Sequence, residues 1–133
     1  MKKLIAVLLC TIMLALVPVS AMAEVEVNPR LTYIASAEGD LIINGTTAIV
    51  DCWVKGNYGD ATKAKVIAEL QLKSGSSWMA YGTWTNTQNN YEAYVYETKT
   101  VKKGQTYRVK VTATVWEGSQ SETITFFTDE ATV

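Results

Sequence analysis

The side chains of this chain that could do chemistry are few. They are the carboxylates of Asp51, Glu69, Glu92 and Glu117, the thiol of Cys52 and a scatter of aromatic rings, with no histidine anywhere. The missing imidazole removes Ser/His/Asp and Cys/His nucleophilic arrangements, and most zinc sites, together. Two carboxylates suffice for glycoside hydrolysis, but Asp51, Glu69 and Glu92 fall in strand-like runs and Glu117 at a hairpin turn, where solvated surface already accounts for acidic residues. Cys52 is in phase with Val50 and Val54, which reads as a small buried hydrophobe rather than a nucleophile. Calcium requires alternating acidic residues in a loop, and Asp40 and Asp60 stand alone. The expectation is a protein that is not an enzyme and uses no cofactor or metal.

The aromatic residues are the better candidates. Trp116 and Phe127 take the polar phase of the last two strand-like runs, on either side of the Glu117–Gln120 turn. Antiparallel pairing about that hairpin is expected to set them near the same end of one face, beside Thr112, Thr114 and Thr125. Tyr58, in the Gly-rich loop 56–60, and Tyr81, out of phase with Trp78 and Trp84, complete the candidate ligand-binding set. An exposed ring offers a large flat apolar surface at low entropy cost, suited to stacking on a sugar or anchoring a protein partner. The competing reading turns Trp116 inward to cover the end of the core.

These residues must be positioned by strands. The stretch Lys102–Trp116 follows a Gly104 turn and sets Tyr107, Val109, Val111, Ala113 and Val115 on one face, with Arg108, Lys110, Thr112 and Thr114 on the other. Such period-2 alternation marks a strand with one buried and one wet face. Lys63–Lys73 alternates nearly as strictly, and residues 46–55 place Ala48, Val50, Cys52 and Val54 opposite Ile49, Asp51 and Trp53. Leu31–Ala37 reads as a first strand, Leu41–Ile43 as a run entering an Asn44-Gly45 hairpin, and Trp78–Trp84 as a strand with Trp78, Ala80, Gly82 and Trp84 sharing a face. In Tyr91–Val101 the inward phase stays open between Tyr91, Ala93 and Val95 on one side and Tyr94 and Tyr96 on the other. Ile124 and Phe126 look inward in the last run.

At the N-terminus, Lys2 and Lys3 precede an apolar run from Leu4 to Val17, then Pro18 and the small-residue end Ser20-Ala21-Met22-Ala23. This is a secretory signal, with cleavage expected between Ala23 and Glu24; a spanning helix needs about 20 apolar residues. Residues 1–23 are therefore a signal peptide and residues 24–133 a single domain, secreted and free of the membrane after cleavage. Loss of Lys2 and Lys3 takes the 12 basic residues to ten, against 13 acidic ones. With the basic residues scattered along the sequence, no nucleic-acid partner is expected. Cys52 alone survives cleavage, so no internal disulfide can form.

About seven short strands without a helix argue for an all-β, antiparallel β-sandwich. The segment Gly104-Gln105-Thr106-Tyr107-Arg108-Val109-Lys110-Val111 resembles the turn into the penultimate strand of fibronectin type III and other immunoglobulin-like domains, with Tyr107 at the tyrosine-corner position. Trp53 resembles the core tryptophan of fibronectin type III domains. Over almost the whole of residues 24–133, the order Arg30-Leu31-Thr32-Tyr33-Ile34, Asp51-Cys52-Trp53, Glu69-Leu70-Gln71-Leu72, Gly75-Ser76-Ser77-Trp78, Trp84, Gly104–Tyr107 and Ser121-Glu122-Thr123 is similar to small secreted proteins of Gram-positive bacteria known as a domain of unknown function. That resemblance implies secretion, one domain and a sandwich, and brings no activity with it. The functional expectation is a binding module for carbohydrate or cell-surface ligands; the alternative is a protein-interaction or antagonism factor, adhesin-like or bacteriocin-like, with an extracellular protein as partner.

Overall fold

The computed structural model describes residues 31–133; the expected signal peptide, its expected cleavage point at Ala23 and Glu24, and the acidic lead lie outside the described residues. Strict alternation of Val and Ala with polar residues builds long strands: β1 (Ile34–Asn44), β2 (Thr47–Gly56), β3 (Lys63–Ser74), β4 (Ser77–Gln88), β5 (Glu92–Thr100), β6 (Thr106–Glu117), β7 (Gln120–Phe127) and a short β8 (Ala131–Thr132). One sheet has the order β1-β2-β5, the other β4-β3-β6-β7, with β8 also beside β6. All pairs are antiparallel. The chain is an all-β, antiparallel β-sandwich of two sheets.

β7 and β8 form one edge with a break at Thr128–Glu130. Thr128 spans the break: its N–H donates to the Val109 carbonyl at 3.0 Å, and its Oγ1 accepts the Val109 N–H at 2.9 Å. Three hairpins share one turn, a two-residue loop whose first residue is Gly45, Gly75 or Gly118 at φ of 61°, 62° and 63°. Positive φ at that first position suits glycine and matches the twist of the flanking strands.

The core between the sheets is narrow and made of small side chains. Val50, Cys52 and Val54 from β2 meet Ala64, Val66, Ala68 and Leu70 from β3 and Val109, Val111, Ala113 and Val115 from β6, all fully buried. Burying each valine contributes about 1.5–3 kcal/mol. The sides are closed by side-chain hydrogen bonds between sheets. Asn86 Nδ2 donates to the Tyr94 carbonyl at 2.7 Å and the Tyr81 hydroxyl to the Thr100 carbonyl at 3.1 Å. On the opposite side the Glu122 carboxylate accepts the backbone N–H groups of Thr32, Tyr33 and Ile34 at 3.0, 2.8 and 2.9 Å.

Two expectations about the strands are corrected. The runs 31–37 and 41–43 are one strand: β1 passes through Glu38-Gly39-Asp40 in unbroken register with Trp53, Cys52 and Asp51. Gly39 is there because the backbone lies against the core, and a Cβ on it would meet Val111 Cγ2 at 2.7 Å. In β4, Trp78, Ala80, Gly82 and Trp84 do not share a face. Leu70 pairs with Gly82 but Gln71 pairs with Ala80, a bulge at Tyr81 that reverses the alternation. Trp84 packs against the core, whereas Trp78 lies on the outer face opposite Lys73.

Candidate functional site

Cross-strand register sorts the outward side chains into rows. On the three-stranded sheet these are Ser36–Lys55–Glu92, Glu38–Trp53–Tyr94, Asp40–Asp51–Tyr96 and Ile42–Ile49–Thr98. The phase left open in β5 is settled here: Ala93 and Val95 are buried, while Tyr94 and Tyr96 are 65% and 59% exposed. Two residues apart on one strand, their backbone positions are about 6.6 Å apart along it. No aromatic ring or cation stacks on either one among the described residues. Trp53 lies beside Tyr94 in this face, half-buried, with Lys55 Nζ 5.3 Å from its ring centroid. It is not the core tryptophan that its resemblance suggested, because its phase is opposite that of Cys52 and Val54.

The outer face of the five-stranded sheet carries Trp116 and Phe127. They share a face but not an end: Trp116 pairs with Ser121, and Phe127 with Lys110. Six residues of β6 separate the two rows, about 20 Å, so the expected pairing of these rings is corrected. Between them lie Thr112, Thr114, Thr123 and Thr125. Each ring on this face is covered by a cation. Lys63 Nζ sits 4.2 Å from the Trp116 centroid, and the Arg108 guanidinium lies between Trp78 and Phe127, 4.1 Å from each.

Tyr81 is also corrected. The bulge turns it inward, where its ring meets that of buried Tyr107 edge to face at 5.4 Å and its hydroxyl is bound to Thr100. Tyr58 is 84% exposed in the β2–β3 loop, with an edge-to-face contact to Tyr91 at 5.1 Å, on neither sheet face. Tyr107 is fully buried and its hydroxyl accepts the Lys102 N–H at 3.0 Å, the tyrosine corner expected of it. Gly104, at φ 80°, donates its N–H to the Val133 carbonyl at 2.8 Å.

The residues missed were Tyr94, Tyr96 and, in this role, Trp53. The signal for them was the small apolar pair Ala93 and Val95, which matches the Ala and Val filling of the other inward faces.

Five of the basic residues, scattered in sequence, are gathered in space by the strand register. Lys63, Lys65, Lys73, Arg108 and Lys110 lie on the outer face of the five-stranded sheet with two carboxylates, Glu69 and, against Lys73, Glu130. The opposite broad face has Glu38, Asp40, Asp51 and Glu92 with the single cation Lys55. Between β1 and the β7–β8 break runs a groove of about 300 Å³ lined by Gly39, Asp40, Leu41 and residues 127–131. Cys52 has no exposed surface, and burial pushes its thiol up to about 12. It therefore remains a protonated, unreactive core group at neutral pH.

Comparison with family models, curated proteins and solved structures finds no match for this chain.

Proposed function

We propose that this protein is a secreted, non-catalytic recognition module that binds carbohydrate on the outer face of its three-stranded sheet. The observation that carries this reading is the pair of exposed, unstacked rings Tyr94 and Tyr96, side by side on β5. Trp53 extends the platform from β2. Glu38 in the Tyr94 row, and Asp40 and Asp51 in the Tyr96 row, place carboxylate acceptors beside the rings, where the hydroxyls of a stacked sugar point. The Trp116 and Phe127 rings support it less well, because their faces are already occupied by cations. The signal-like N-terminus and the resemblance to small secreted bacterial proteins favour a cell-surface glycan.

The test is titration with uncharged oligosaccharides followed by intrinsic fluorescence. Tyr94→Ala and Tyr96→Ala are each expected to weaken binding roughly tenfold, about 1.4 kcal/mol, with the fold intact, and Trp116→Ala to leave it unchanged. Loss in Trp116→Ala instead would return the site to β6. The second reading, an extracellular protein as partner, rests on Ile42, 48% exposed, and Ile49, which continue the apolar surface past the tyrosines. Saturable binding to a protein with no response to any sugar would select it.

A further inference from the structure

We infer that the outer face of the five-stranded sheet is a second, independent binding surface, for an extended polysaccharide-type polyanion bearing sulfate or phosphodiester groups. The cations form a track along the strand direction. Lys73, Arg108, Lys110, Lys65 and Lys63 occupy five of the six rows from one end of the sheet to the other; the Ile67–Thr112 row between Lys110 and Lys65 carries none, and Glu69 stands opposite Lys110. At two residues per row this spans about 33 Å. The chain as a whole is formally acidic, with net charge -1, so attraction to a polyanion comes from the local gathering of cations on this face and not from the overall charge.

The cations are also available. Lys65 and Lys110 form no salt bridge with the described residues, and of the five only Lys73 has a carboxylate partner, Glu130 at 3.5 Å. Arg108 is held in place before any ligand arrives. Its Nε donates to Gln71 Oε1 at 2.8 Å, and the ring centroids of Trp78 and Phe127 each lie 4.1 Å from its Cζ. Neither Nη has an acceptor among the described residues, which leaves the edge that pairs with phosphate or sulfate oxygens open. The threonine hydroxyls between the cations are suited to the sugar hydroxyls of such a chain.

Two other occupants fit less well. A nucleic acid gains much of its affinity by stacking bases on open rings, and the rings here are covered by Lys63 and Arg108. A second copy of the chain could offer its acidic face, but the carboxylates there fill three adjacent rows, about 13 Å, well short of the track.

The experiment is equilibrium binding of the purified protein to dextran sulfate and to poly(glycerol phosphate), at low and at physiological salt, with unmodified dextran and a single-stranded oligonucleotide alongside. Either polyanion should bind, dextran should not, and affinity should fall steeply with salt; which polymer binds tighter names the charged group. Lys65→Gln/Lys110→Gln leaves the Trp78–Arg108–Phe127 stack untouched and should cut affinity at least tenfold with an unchanged melting curve. Arg108→Lys keeps the charge and loses the fork, and should cost several-fold. Tyr94→Ala should have no effect, which separates this surface from the proposed glycan site. Equal binding to dextran, or full affinity in the double Gln variant, would overturn the inference. Tighter binding of the oligonucleotide would reassign the face to nucleic acid, and salt-sensitive self-association without polymer would reassign it to a second copy.

Discussion

Tyr107 and Lys102 are joined by a single hydrogen bond, from the Lys102 backbone N–H to the Tyr107 hydroxyl at 3.0 Å, that fastens the turn before β6 onto the core. The ring is fully buried and meets Tyr81 edge to face. Tyr107→Phe keeps the ring and leaves the Lys102 N–H without its partner, at an expected cost of about 1–3 kcal/mol. Urea unfolding measures it. Unchanged stability would mean that the ring alone anchors the corner.

Gly39 carries a second prediction. Its backbone runs so near Val111 that a Cβ would sit 2.7 Å from Val111 Cγ2, with the Phe126 ring at 3.4 Å. Gly39→Val therefore overpacks the core and should destabilise by about 1–3 kcal/mol, lowering the thermal midpoint. Serine in place of Gly45, where nothing lies within 4 Å of the added Cβ, is the comparison: its cost comes from positive φ alone.

Acid should loosen the start of the domain. Desolvation raises the Glu122 carboxyl, but the N–H groups of Thr32, Ile34 and Tyr33 outweigh it and hold the group below its ordinary value of 4.5. A carboxyl depressed on folding adds stability above its unfolded pKa, and that contribution is lost as pH falls through the folded value. The protection of the Thr32, Tyr33 and Ile34 amides against hydrogen exchange, taken relative to the intrinsic rate at each pH, should thus fall below pH 4.5, ahead of that of the β6 amides. In Glu122→Gln the same amides should be less protected at neutral pH, with little further loss of protection in acid.

Cys52 should be silent in the folded state. With no exposed surface and its thiol pushed up to about 12, it should resist a thiol-specific disulfide reagent at neutral pH and react fully in denaturant. Rapid modification of the native protein would show that β2 opens locally. Cys52→Ser places a more polar hydroxyl among the buried valines of the core and should cost about 1–3 kcal/mol.

Much of this architecture could be read before any coordinates. Val109, Val111, Ala113 and Val115 alternate with charged and hydroxyl residues because β6 is covered on one side only, and all four are fully buried. The tyrosine corner was legible for the same local reason, a Gly104 turn followed by an aromatic residue. What escaped was tertiary. Gly39 between two acidic residues looks like a turn until Val111 is seen beneath it. The bulge at Tyr81 inserts one residue and exchanges the roles of Trp78 and Tyr81. Trp116 and Phe127 show a further limit: phase says which face a side chain takes, while distance along the face depends on how far each stands from the hairpin. The cation track was hidden because its members come from β3 and β6, some forty residues apart in sequence, and meet only through the register.

The opposite charges of the two broad faces give the domain an electric polarity across its thinnest dimension. In a field such a body rotates before it touches anything. Near an anionic boundary it should settle with Arg108 and Lys110 downward and Tyr94 and Tyr96 facing the medium; near a cationic one it should turn over and hide the tyrosines. Which way up the protein lies, as well as whether it adheres, is thus set by the sign of the surface it meets.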